Sequence, residues 1–125
     1  FESIEALTVA QVDTDPQLEL IFSSRGKLYI YDGKHFIEEW RSNQIFDATD
    51  IVVGEVDGDG EPEIILNTGY VLNGYTQDIE WESFEPFGEM LELVDIDGDR
   101  KLELISGTPG ASKIWDLDQR REKWE

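Results

Sequence analysis

The sequence predicts an all-β fold built from three consecutive four-stranded antiparallel units, and three observations predict it. An acidic loop recurs as "QVDTDPQLELI" from Gln11, "EVDGDGEPEII" from Glu55 and "DIDGDRKLELI" from Asp95, at offsets of 44 and 40 residues. A tryptophan follows each loop, at Trp40, Trp81 and Trp124, at offsets of 41 and 43. Between loop and tryptophan lies a third match: "LYIYDG" at 28–33, "YVLNG" at 70–74 and "KIWDL" at 113–117. Landmarks that share one period across the chain mark an internal repeat, with units at about 1–43, 44–84 and 85–125.

Each unit reads as four strands in order. Leu7 and Val9, Ile51 and Val53, and Leu91 and Leu93 alternate with more polar neighbours ahead of the loops, the pattern of a half-buried first strand. The apolar stretches "LELIFSS", "PEIILNT" and "LELISG" supply the second strand. "KLYIYDG" and its counterparts supply the third, and Arg25-Gly26 has the chemistry of a hairpin turn before the first of them. The tryptophan segments "FIEEWRS", "DIEWES" and "RREKWE" supply the fourth. No window of ten residues carries a helical apolar period.

A four-stranded meander of roughly 42 residues has the size of one β-propeller blade. Three blades fall short of the about four to eight that close a propeller, so open sheet faces are expected. Two chains forming a six-bladed homodimer, or further blades from a longer chain, would cover them. The chain starts at Phe1, as a processed protein or an excised fragment would.

Composition narrows the partners. The 125 residues suit one domain, and 39% hydrophobic content is ordinary for a folded chain. With 29 acidic against 10 basic residues the net charge is −19, which disfavours nucleic acid and anionic membrane surfaces. No apolar run approaches the roughly 18 residues of a membrane-spanning helix. The absence of cysteine removes disulfides, zinc-thiolate sites and thiol nucleophiles. His35, the single histidine, sits beside a glycine turn and reads as a solvated loop residue. With so little to build a nucleophilic triad from, no catalytic residue is assigned. Trp40, Trp81 and Trp124 recur at one blade position and read as packing residues rather than sugar platforms; Trp115 aligns with Tyr31 and Leu72 and reads as core.

The loops "DIDGDRKLE" and "EVDGDGEPE" closely resemble the calcium-binding loop of FG-GAP (VCBS) repeats, and "QVDTDPQLE" resembles it more loosely. The resemblance implies an integrin-α-like calcium-binding propeller, an extracellular, periplasmic or cell-surface setting, and a role in adhesion, ligand recognition or scaffolding.

The loop chemistry supports a hard dication. Calcium takes six to eight oxygens at about 2.3–2.6 Å. Acids at positions one, three and five of a tight turn aim at one centre, position seven offers a backbone carbonyl, and the acid at position nine closes the site from the next strand. The candidate ligands are Asp95, Asp97, Asp99, the Lys101 carbonyl and Glu103 in the third loop, and Glu55, Asp57, Asp59, the Glu61 carbonyl and Glu63 in the second. In the first they are Gln11, Asp13, Asp15, the Gln17 carbonyl and Glu19. The twelfth positions are Phe22, Leu66 and Ser106 and the flanks are strands, which excludes an EF-hand. Gln11 is neutral and Pro16 fixes its own φ, so the first loop is the weakest of the three; two calcium ions are expected, a third only if that loop fills.

The expected function is a calcium-stabilised, non-catalytic propeller module that binds a protein or a glycan. A fragment of a calcium-bearing propeller enzyme acting on polysaccharide, and a propeller lectin, stand as the alternatives.

Overall fold

The computed structural model describes residues 3–12 and 17–124, and the side chain of Trp124 also lies outside the description. Among the described residues the secondary structure is twelve strands without a helix. Strands β1 (Ala6–Ala10), β2 (Glu19–Ser24), β3 (Lys27–Asp32) and β4 (Glu38–Arg41) form one antiparallel sheet in chain order. A second sheet holds β5 (Ile51–Gly54), β6 (Glu63–Leu66), β7 (Tyr70–Asn73) and β8 (Ile79–Glu82). The third holds β9 (Met90–Val94), β10 (Glu103–Thr108), β11 (Ala111–Asp116) and β12 (Arg121–Trp124). The result is the all-β, three-bladed partial propeller that the sequence predicts. Strand β5 lies against both β1 and β9, so the first strands of the sheets are neighbours.

Register explains the packing. Side chains alternate across a strand, so each sheet offers two faces. In the second sheet Ile64, Leu66 and Leu72 join Ile21, Leu28 and Ile30 of the first in one buried cluster. Ile65 and Val71, one residue out of phase, join Leu104 and Trp115 of the third in another. The middle sheet is therefore apolar on both sides, which is why "EIIL" carries no polar alternation. Burying each of these aliphatic side chains contributes about 1.5–3 kcal/mol.

Local chemistry fixes the connections. Arg25 (φ 51°) and Gly26 (φ 84°) both sit in the left-handed region, as a two-residue hairpin turn requires. A Cβ at Gly74 would stand 2.6 Å from the Pro62 carbonyl oxygen, and the Gly74 N–H donates to that oxygen at 2.8 Å. Gly33 does the same to Leu18, with its N–H donating at 3.1 Å. These close approaches tie the end of the third strand to the foot of the acidic loop. All three sheets also shift register at the same place, between Ile30 and Tyr31, Val71 and Leu72, and Ile114 and Trp115.

The packing tryptophans fall where expected. Trp40 and Trp81 pack against the two clusters, and Trp115 is buried between Trp81 and Phe87, with ring centroids 6.4 Å and 5.0 Å away. His35 is exposed, its Nδ1 3.0 Å from the Asp32 carboxylate across the turn.

Candidate metal centre

The second and third acidic loops join the first strand of a sheet to its second. Gly58 and Gly98, both at φ 77°, make the tight turn possible, and φ is positive again at Gly60 (83°) and Arg100 (70°). Glycine takes that conformation without steric cost; arginine does not, so the third loop is the more strained. Asp13 and Asp15, two predicted ligands of the first loop, lie outside the described residues together with Thr14 and Pro16.

Backbone amides set the carboxylates in place. Glu55 Oε1 accepts hydrogen bonds from the N–H groups of Asp57, Gly58 and Asp59 at 3.2, 2.7 and 3.2 Å. Asp59 Oδ1 accepts from Glu61 N–H at 2.8 Å. In the third loop Asp95 accepts from Gly98 and Arg100, each at 2.9 Å, and Asp99 accepts from Lys101 at 2.9 Å.

The glutamate at position nine behaves alike in all three loops. Glu19, Glu63 and Glu103 are buried at the start of the second strand. Their Oε1 atoms accept from Val12 N–H at 3.2 Å, Val56 N–H at 3.3 Å and Ile96 N–H at 3.0 Å. This contact clips the end of the loop to its beginning. The spacing of the glutamates is visible in the sequence, but the backbone contact is not.

Two four-carboxylate clusters result. One ligand oxygen each from Glu55, Asp57, Asp59 and Glu63 lies within 4.8 Å of the others, and so do those of Asp95, Asp97, Asp99 and Glu103. Of the predicted ligand side chains, the structure thus brings together all four acids of the second loop and all four of the third. Glu19 of the first loop joins no such carboxylate cluster among the described residues, which do not include Asp13 and Asp15.

The electrostatics distinguish the two clusters. Burial raises the Glu63 carboxyl to about 9, helped by Asp57, Glu80 and Asp59 and opposed by the Val56 N–H. Its second oxygen, Oε2, is buried and has no hydrogen-bond partner. A buried carboxylate oxygen left unpaired costs about 1–3 kcal/mol or more. Burial also raises Glu103, with Asp97 and Asp99 adding to it and the Ile96 N–H and Lys123 opposing it.

Lys123 marks the other difference. Its Nζ donates to Asp97 Oδ2 at 2.6 Å and holds the Asp97 carboxyl below its usual range. The third cluster therefore carries an ammonium group of its own. Lys101 reaches the other way, its Nζ donating to Asp118 at 2.9 Å while its stem passes over Gly58. Next to the second cluster, Glu80 shares the Asn73 amide with Glu61, at 3.3 and 3.5 Å. Burial raises its carboxyl as well, with Asp57 and Asp59 contributing. Sequence spacing points to neither Lys123, Asp118 nor Glu80, which lie outside the loop pattern.

The donor set is made only of oxygen, multiply charged and held by backbone amides, which suits a hard cation and not a soft one. No protein-family model matches the chain, and no curated protein or solved structure matches it.

Proposed function

We propose that the chain is a calcium-stabilised, non-catalytic propeller module of the FG-GAP type that presents its surface to a protein or glycan outside the cell. The observation that carries the metal reading is the orphaned Glu63 Oε2, fully buried among three further carboxylates. A bound dication would neutralise the cluster and supply the missing partner. Glu55, Asp57, Asp59 and Glu63 would hold it in the second loop, Asp95, Asp97, Asp99 and Glu103 in the third. The number of oxygens favours calcium over magnesium, which keeps several waters and accepts few protein ligands.

The role of the ion in this reading is structural. Glu63 and Glu103 already stand on the second strands of their sheets, while the other ligands lie on loops leaving the first strands. Joining them fastens strand to strand. Modules of this ligand type bind calcium at about 10⁻⁴–10⁻³ M, which fits an extracellular setting.

Thermal unfolding with calcium, with magnesium and with chelator tests the metal reading. The expected result is a melting temperature raised by calcium and little changed by magnesium; equal values in all three would overturn it. The recognition reading is tested on the calcium-loaded protein. Retention of an oligosaccharide on a glycan array supports a lectin, product formed from a polysaccharide supports an enzyme, and neither supports a protein ligand.

A further inference from the structure

We infer that the two outward sheet faces are the halves of a further blade-to-blade joint, and that a second copy of the chain supplies the mate, so that two chains close one six-bladed ring. The inference rests on reading the sheets as propeller blades and not on the metal.

The two joints inside the chain have one construction. Toward the preceding sheet the second sheet turns Ile51, Val53, Ile64 and Leu72, and the third turns Leu91, Leu93, Leu104 and Trp115. The corresponding positions of the first sheet are Leu7, Val9, Leu20 and Tyr31; among the described residues no other sheet lies over them, while on the same face Phe22 and Tyr29 are buried and Tyr31 packs against Phe22 and Phe36. Leu7 is 56% exposed where Ile51 is 3% exposed. Toward the following sheet the first turns Val12, Ile21 and Ile30, and the second turns Val56, Ile65 and Val71. In the third sheet these positions are Ile96, Ile105 and Ile114. Val12 and Val56 are 3% and 2% exposed, and Ile96 is 39% exposed. At Leu7, Val9 and Ile96 the apolar identity persists where burial stops. Solvent-facing sheet surfaces carry charge or polar alternation instead, and contiguous apolar patches mark contact surfaces.

The faces are also opposite in kind. The first sheet lacks a neighbour on the side where the second and third each have one, and the third sheet lacks one on the other side. Across the second joint the Leu102 N–H donates to the Glu55 carbonyl oxygen at 3.0 Å; Pro62 stands at the donor position of the first joint and, having no N–H, leaves that joint without this bond. The corresponding donor at the open end of the first sheet is Leu18 N–H, and the corresponding acceptor at the open end of the third is the Asp95 carbonyl. The two ends therefore match head to tail, a heterologous contact that closes only as a ring. Propellers hold about four to eight blades, and six is the one multiple of three in that range. Two copies satisfy it. The joint is not identical to the interior ones, since Val94 stands where Gly54 receives Leu93 and Leu102. Each chain carries a charge of −19, so salt favours the closed pair by screening.

Sedimentation equilibrium of the purified chain at tens of micromolar, in physiological salt with calcium, tests the inference. The expected mass is twice the 14.3 kDa of one chain. Met90 pairs with Gly107, two residues along from the Glu92–Ile105 pair, and so shares the outward face of the third sheet with Ile105. Leu7→Glu and Met90→Glu should each halve the mass, and both positions are more than half exposed in the single chain, so its fold tolerates the change. Phe84→Glu, at a fully exposed side chain on neither end face, should leave the doubled mass intact. A single-chain mass for the unmodified protein, a doubled mass that survives both end-face substitutions, or a ladder of larger species would each overturn it. Loss of the calcium response with the doubled mass retained would count against the metal reading alone.

Discussion

Glu63→Gln separates the metal account from ordinary core packing. The substitution keeps an oxygen to accept the 3.3 Å hydrogen bond from Val56 N–H and replaces the orphaned Oε2 with an amide donor. The amide cannot ionise, so the metal-free variant no longer carries a buried carboxyl whose charged form burial, Asp57, Glu80 and Asp59 all oppose. Removing an unsatisfied buried oxygen is worth about 1–3 kcal/mol, and the variant should melt higher than the parent in chelator. In calcium the order should reverse. An ion at a hundredfold over its dissociation constant stabilises the folded state by about 2.7 kcal/mol. For a chain of this size that corresponds to roughly 10 °C, and the variant should lose most of one site's share. The assay is a pair of thermal melts, parent and variant, each with chelator and with calcium. A variant that melts lower in chelator yet keeps the full calcium increment would refute the reasoning, because Glu63 would then be a packing residue and not a ligand.

Three further outcomes follow from the same geometry. Lys123→Gln removes the ammonium group 2.6 Å from Asp97; calcium affinity at the third loop, read by calorimetry, should rise, because the ion no longer competes with Lys123 for that carboxylate. The metal-free protein should lose stability as pH rises from about 5 to about 8. The unfolded chain ionises Glu63 near its ordinary value of 4.5, whereas the folded chain keeps the proton until about 9, so the folded state binds more protons throughout that window; melts in chelator should show the fall, and melts in calcium should not. Gly74→Ala drives a Cβ to 2.6 Å from the Pro62 carbonyl oxygen, a backbone atom with no easy retreat; urea unfolding should show a loss of about 1–3 kcal/mol.

Most of the fold was legible because one pattern occurs three times. A single loop such as "QVDTDPQLE" says little, but three loops, three tryptophans and three third strands in step leave few architectures open. The first strands are legible at Leu7–Val9 and Leu91–Leu93 because apolar and more polar residues alternate there, although Leu7 and Val9 lie on the exposed face and Ala6 and Ala10 pack inward; Ile51–Val53 and β6 are placed by their loop, because the middle sheet is buried on both faces. The carboxylate clusters were legible for a similar reason: residues within nine positions of one turn have little freedom to diverge. Contacts between distant segments were not legible. Lys123 meets Asp97 across 26 residues, and Lys101 meets Asp118 across 17, through sheet packing that no local spacing records. Glu80 reads as a polar residue beside Trp81, and only the fold brings it near the second cluster. Exposure of the end faces was expected from the blade count, but the specific residues, Leu7, Val9 and Ile96, emerge only when burial is compared position by position.

The central claim is that carboxylates crowded into these turns are tolerated because a hard dication neutralises them and fastens adjoining strands. A crystal structure grown with ample calcium, with anomalous difference density measured at the loops, tests it most directly. The account predicts a calcium peak at about 2.3–2.6 Å from the carboxylates of Glu55, Asp57, Asp59 and Glu63, and a second among Asp95, Asp97, Asp99 and Glu103 with Lys123 turned away. Featureless loops, with the acids spread into solvent and Glu63 Oε2 still buried without a partner, would contradict it.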